Sequence, residues 1–412
     1  MASAAAYPPS LPVGEDVVSG IIPAGTPPLA ELRRLPGVLR HLRRLSGYLP
    51  GIERPTAYIY VYAEPAGRRS RQRLHAMAPA LETILARDRG LEGIACVDDV
   101  ARAAVLGLRV FELTGSETAR ELATTWLRFL NCMQRRDDHR MLNFILDSEG
   151  TRNDAGETSY PGGAPWTMRS LRAFATAWRV LKDRDALRRF YSTALPVTPY
   201  LATNANYALA VMDIFETRPD DMGLRAWIED LCETIIASGP SYFRSVSGQP
   251  DVWMYDYHQL EAVARAGRLL GRADYLAACE GTVANLVEPV IRSGFTHHYP
   301  AGDDHQCVFD ISSVAEGLEA LYVATRNTRY RELALACCAW LDGNNPARAP
   351  MYNPETGRCY DKISLDGEIA TGTGAESAIE AGYLHLVRCR LEGTRAGLEP
   401  AWSLVPSSVS LV

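Results

Sequence analysis

The feature that most constrains the fold is a repeated helical hairpin. Four stretches share one plan of helix, short polar turn and second helix: residues 101–130, 169–195, 258–287 and 312–341. Apolar residues recur in them at helical spacing, and their turns carry Gly, Asp, Asn or Ser. The first helix of each pair is rich in Ala, Leu and Val on most faces, as a helix enclosed by others should be, and the second is more charged. A further helix is expected after Gly374. Such units cannot bury their apolar faces alone and must stack. An open solenoid of the tetratricopeptide kind needs a period near 34 residues. Here the pairs begin at 101, 169, 258 and 312, with long, unequal insertions between them. Those insertions are extended and aromatic: MLNFILD (141–147), FTHHYP (295–300) and MYNPETGRCYDKIS (351–364). Irregular loops between paired helices predict an all-α (α/α) toroid of at least ten helices, a closed double ring with short β-hairpin loops at one rim. The expected organisation is a flexible arm over 1–30, one toroid domain over 31–395 and a tail over 396–412.

Outside the repeat, ELRRLPGVLRHLRRLS (31–46) reads as a solvated amphipathic helix interrupted by Pro36, and TAYIYVYA (56–63) alternates like a strand. The chain has 43 basic and 49 acidic residues and a net charge of −6, which argues against a nucleic-acid or anionic-membrane binder. At 47% hydrophobic and 22% charged residues it can bury a large core. No apolar run approaches the ~18 residues of a membrane span. The first twenty residues have neither a basic stretch nor an apolar one of the secretory kind, so a cytoplasmic protein is expected. The nine cysteines include no C-x-x-C pair and read as reduced core thiols.

Polar chemistry gathers where the first helices start. The openings are CVDDVAR (96–102), ETSYPGGAPWTMR (157–169), WMYDYHQLE (253–261), VFDISSVAE (308–316) and TGTGAESAIE (371–380). In a ring of parallel inner helices these starts share one rim, which collects Asp98, Asp99, Glu157, Tyr160, Trp166, Trp253, Asp256, His258, Asp310 and Glu376. Helix capping accounts for part of this, because Asp and Ser at helix starts satisfy free backbone N–H groups. For the doubled Asp98–Asp99 it explains one carboxylate only. Several acids beside Trp and Tyr suit sugar chemistry, in which carboxylates move protons and rings stack on the substrate. Asp98, Asp99, Asp256 and Glu376 are the catalytic candidates. Trp166, Trp253, Tyr255 and Tyr257 are expected as platforms and Arg102 as an ion-pairing orienter. Asn143, Tyr160, His258, His297, His298 and Asp310 complete the substrate-binding set. His297, His298 and His305 lie near Asp303 and Asp304, yet no H-E-x-x-H or H-x-H pattern supports a metal, so no metal or other cofactor is expected.

EGIACVDDVARA together with NPETGRCYDKISLDGEIATGTGAES resembles a bacterial family of six-hairpin glycosidase-like domains, found alone or beside glycosyltransferase domains. The likeness runs over about residues 90–390 and includes LNFILD and ETSYPGGAPW; its matched positions are Asp98, Asp99, Arg102, Asn143, Asp361, Asp366 and Glu376. The closing segment departs from the family's Asn-rich pattern before GAES. The resemblance implies an (α/α)6 toroid and a carbohydrate-active protein. The leading expectation is a glycoside hydrolase-like enzyme acting on a sugar or glycoside by carboxylate acid–base catalysis in the toroid funnel. Alternatives are an epimerase, a lyase, a terpenoid-type cyclase using the acid of CVDD, or a non-catalytic sugar-binding toroid.

Overall fold

In the computed structural model, residues 29–65, 81–84, 92–246, 248–300 and 305–396 are described. Six inner helices carry the architecture: α2 (Val97–Thr114), α4 (Ala164–Leu181), α6 (Leu201–Phe215), α8 (Gln259–Leu270), α11 (Val308–Thr325) and α13 (Ala375–Ala396). Each packs on the next, and α13 packs back on α2, closing the ring. Around them lie α1 (Leu29–Arg44), α3 (Glu117–Met133), α5 (Arg184–Ser192), α7 (Met222–Ile236), α9 (Ala273–Thr282) with α10 (Glu288–Arg292), and α12 (Thr328–Ala339). The fold is an all-α (α/α)6 toroid. The expected arm and tail lie outside the described residues, apart from Leu29, Ala30 and Ala396.

One two-residue turn recurs in four hairpins. Gly115, Lys182, Gly271 and Arg326 end α2, α4, α8 and α11 in the left-handed conformation, with φ of 68°, 57°, 69° and 60°. The next residue opens the outer helix, and Ser116, Asp183 and Asn327 cap it with a side-chain oxygen. The cap supplies partners for free N–H groups, and the left-handed residue reverses the chain within two positions. The inner helices are buried nearly all round, as α11 is from Val308 to Glu319. Gly317 lets α11 lie against α8, since a Cβ there would stand 2.8 Å from Leu260 Cβ.

Two expectations change. Residues 31–46 are not a solvated helix. Helix α1 runs through Pro36 and buries Leu35, Val38, Leu39 and Leu42, packing on α13 as the outer member of the sixth hairpin. A hairpin not read from the sequence, α6 with α7, fills the gap between the second and third repeats.

Short antiparallel strands sit at the starts of the inner helices. Ala95–Cys96 pairs with Phe144–Ile145 before α2, and Val252–Trp253 with His298–Tyr299 before α8. Lys362–Ser364 joins His305–Cys307, before α11, to Ile369–Ala370, before α13. The rim loops thus fix the approach of the chain to α2, α8, α11 and α13. Among the described residues no helix is long and apolar enough to cross a membrane. The nine cysteines are free, and seven are buried.

Candidate active site

Cys96, not an aspartate, caps α2: its Sγ accepts from the Asp99 N–H at 3.5 Å. Both acids of the pair are therefore released for other work, and 100° of helix rotation separates them. Asp99 turns inward to Arg102, 2.6 Å away. Asp98 turns to Arg169 of α4 at 2.9 Å and keeps 20% of its side chain exposed. The Asp98 N–H donates to Asn143 Oδ1, and Asn143 Nδ2 to the Thr158 carbonyl. Asn143 thus positions the start of α2.

Arg102 is shared by three carboxylates. Its guanidinium donates to Asp99, to Glu376 Oε2 at 3.1 Å and to Glu380 Oε1 at 2.8 Å. Glu376 and Glu380 stand one turn apart on α13, so ring closure brings both to α2. Glu376 is 38% exposed and accepts the Tyr255 hydroxyl at 3.1 Å, whereas Glu380 is buried and accepts from Ser312. Burial pushes the Glu380 carboxyl up to about 7 against the pull of Arg102, and the Asp99 carboxyl up to about 6 for the same reason. Burial thus brings two acids close to neutrality beside one guanidinium, a setting in which acid–base chemistry is possible.

Further guanidinium and imidazolium groups, each held by carboxylates, complete the site. His258 ends the approach to α8, with Nε2 3.3 Å from Asp256 and Nδ1 2.9 Å from Glu261. Burial and Arg172 oppose its charge, but these two carboxylates prevail and raise it to about 9. Arg172 donates to both oxygens of Glu261 and to Asn206. Between these groups lies a small cavity of about 10 Å³, room for about one water molecule, lined by Arg102, Arg169, Arg172, Asn206, His258 and Glu380 among others.

Several candidates are placed otherwise than expected. Asp256 is not an available acid: it is buried, and although burial would raise its carboxyl, Arg169 at 2.7 Å and His258 hold it below the usual range. Tyr257 is no platform, because its ring is wholly buried and its hydroxyl donates to the Phe243 carbonyl at 2.7 Å. Trp166 is also buried, with its indole N–H on the Met141 carbonyl, and Tyr160 leans edge-on against it, 49% exposed. Trp253, 48% exposed beside His298, and the part-buried Tyr255 remain open to the mouth. Asp310 is buried in a capping box at the start of α11 and also meets His297 Nδ1 at 2.7 Å. Asp361 receives the Gly374 N–H and the Ser377 hydroxyl at the start of α13, and Asp366 is exposed in a turn with Ser364. Glu380, Arg169 and Arg172 were not singled out from the sequence. The signal for Glu380 was its spacing of four from Glu376.

No family model matches the chain, and no curated protein matches it by sequence. Its structure is similar to that of a sugar epimerase from a ruminal bacterium, with a TM-score of 0.63 and 11% identity over 89% of this chain and 98% of that one. It is also similar to a D-mannose isomerase (TM-score 0.60, 10% identity, 86% and 97% covered). A family 76 glycoside hydrolase from a bovine Bacteroides thetaiotaomicron strain gives 0.57 at 10% identity, with 88% and 77% covered. At such identities the likeness establishes the fold, the six-hairpin (α/α)6 toroid that these sugar-converting enzymes share with this chain.

Proposed function

We propose that this protein is a carbohydrate-active enzyme that epimerises or isomerises a small free sugar by moving a proton next to its carbonyl. The observation that carries this reading is the set of fixed N–H donors at the cavity. Arg102, Arg169, Arg172 and the imidazolium of His258 line it, each oriented by carboxylates, with Glu380 poised at about 7. Glycoside cleavage passes through an oxocarbenium-like, positively charged state, which guanidinium and imidazolium donors do not stabilise. Proton abstraction beside a carbonyl instead builds negative charge on oxygen, which guanidinium and imidazolium groups stabilise. The Glu380 carboxylate takes the proton from carbon and becomes a neutral acid, leaving an enediolate whose oxygens face the cationic groups. Delivery of a proton to the same carbon from the other face, by a second acid such as the His258 imidazolium, gives an epimer, and return of the Glu380 proton to the former carbonyl carbon gives the aldose–ketose isomer. The epimerase and isomerase of the same fold make this chemistry an established occupant of the toroid.

Hydrolysis is the second reading, favoured by Asp98 and Glu376, the two more exposed acids of the site, which open adjacent inner helices. Incubation with free hexoses and disaccharides in deuterated water, followed by NMR, separates the two. Deuterium entering the carbon next to the carbonyl, together with a new epimer or ketose, supports proton transfer. Release of reducing ends from glycosides with no exchange overturns it in favour of hydrolysis. In this reading, residues 31–395 form one domain between an arm and a tail, and the enzyme meets its small-molecule substrate in the cytoplasm.

A further inference from the structure

Beside the mouth, three segments bring soft and borderline donors together. His297 Nδ1, Cys307 Sγ and a carboxylate oxygen of Asp310 all lie within 4.8 Å of one another. His297 precedes the strand His298–Tyr299, Cys307 ends the strand His305–Cys307, and Asp310 lies in the first turn of α11. In that strand His305 and Cys307 share the half-exposed face while Gln306 is buried, as alternation demands. The His305 ring lies 5.2 Å from that of His297, and the His298 ring 5.3 Å from it. Three of the chain's eight histidines thus converge on one thiol and one carboxylate.

We propose that His297, Cys307 and Asp310 form a binding site for one zinc-like divalent cation at the lip of the toroid, with the fourth position open to water. Nitrogen and sulfur donors select zinc over calcium or magnesium, which take oxygen. Bond lengths of about 2.0–2.3 Å put the donors of a tetrahedral site ~3.3–3.8 Å apart. Here His297 Nδ1 is 2.7 Å from Asp310 Oδ1, and Cys307 Sγ is 3.1 Å from Asp310 Oδ2. The ion takes the place of the protons in these two hydrogen bonds, the donors parting by well under 1.5 Å; the thiol proton leaves to solvent. The second compact donor set, His258 with Glu261 and Glu316, does not suit a cation, because Arg109 and Arg172 already hold its carboxylates. An ion at the first set pins the strand of His298 to the start of α11, next to the Tyr255 ring, 5.7 Å from that of His297.

The test uses the full chain freed of metal by chelation and titrated with Co²⁺, then Zn²⁺. One equivalent of cobalt should give a thiolate-to-cobalt charge-transfer band that zinc erases, and zinc should raise the melting temperature. Cys307→Ser should abolish the band and the zinc-induced rise, and His297→Gln should weaken cobalt binding at least tenfold. Absence of the band at millimolar cobalt, or its persistence in Cys307→Ser, overturns the site. Should Cys307→Ser not fold, alkylation of the wild-type protein mapped by peptide mass spectrometry decides. Protection of Cys307 by zinc supports the site, and equal labelling with and without zinc overturns it.

Discussion

The two ends of the inner ring hold buried ion clusters made of the same residue types, yet they treat protons in opposite ways. At the far end, Asp213 near the close of α6 meets Arg265 at 2.9 Å, Arg179 at 3.3 Å and the Thr176 hydroxyl at 2.6 Å. Burial would raise its carboxyl, but two guanidiniums and a hydroxyl hold it well below the usual range. At the mouth, Arg102 is the one guanidinium in contact with both Asp99 and Glu380, and for these two acids burial prevails. Asp213 touches two guanidiniums where Asp99 and Glu380 share one, and all three acids are buried. One end favours a lasting ionised strut and the other an acid that can gain and lose a proton. Buried pairs of the first kind are stable only while both partners remain, and sites of the second kind are where acid–base chemistry is possible.

The largest expected effect tests that division directly. Glu380→Gln keeps the size and one hydrogen bond but cannot accept a proton, so turnover and deuterium exchange should fall by about 10²–10⁴-fold with the circular dichroism unchanged. Activity within threefold of wild type would remove Glu380 from the mechanism and send the search to Glu376 and Asp98. At the far end the loss should appear in stability instead. Asp213→Asn removes the buried anion that Arg179 and Arg265 share and leaves them the more exposed Glu216 and Glu112, so denaturant unfolding should show a loss of about 3 kcal/mol. Turnover per folded molecule should stay unchanged. A fall in turnover with stability intact would mean that the two clusters are not separate in function.

These roles were legible in the sequence to different depths. Four hairpins and the closing helix could be read because polar turns punctuate their apolar spacing, as Gly115–Ser116 and Arg326–Asn327 do. Helix α6, LATNANYALAVMDIF, is apolar on nearly every side, so no stripe marks it. Helix α1 looked solvated because the helix that buries its apolar face, α13, lies at the other end of the chain. Asp98, Asp99, Arg102 and Glu376 stood out as polar groups at helix starts. Glu380 did not, because it sits within the apolar run of α13, and its charge has meaning only once α2 and α11 flank it. Tyr257 and Trp166 misled because an aromatic at a helix start can face the mouth or the core, and composition does not say which.

A pH series sharpens the comparison with a smaller effect. Asp99 and Glu380 hold their protons more tightly folded than unfolded, where ordinary values are 3.8 and 4.5. Their contribution to stability is therefore complete below those values and is lost as pH rises through about 6 and 7. Asp213 has the opposite sign: its contribution is present above its unfolded value and lost only as pH falls through its lowered folded one. Between pH 5 and 8 the melting temperature of Glu380→Gln should fall less than that of wild type. The Asp213→Asn curve should run parallel to wild type over the same range. Parallel curves for Glu380→Gln and wild type would show that Glu380 does not titrate there, removing the basis for its role as a base.

The smallest effect concerns the mouth surface rather than its charges. Trp253 is 48% exposed, its ring 5.3 Å from that of His298, on a strand that leads directly to Tyr255 and His258. An exposed indole contributes little to folding, so Trp253→Ala should leave the melting temperature nearly unchanged. Stacking of an apolar sugar face on such a ring is worth about 0.5–1.5 kcal/mol, which predicts a roughly 2–12-fold rise in KM with kcat retained. Trp253→Phe should recover most of the loss, because a flat face remains. The size of the effect should also depend on the substrate. A disaccharide offers a second ring for Trp253 to stack on, which a monosaccharide bound beside Glu380 lacks. An equal KM change for mono- and disaccharides would mean that Trp253 shapes the pocket entrance rather than a second sugar position. A fall in kcat at unchanged KM would instead tie the rim strand to the proton transfer proposed for Glu380.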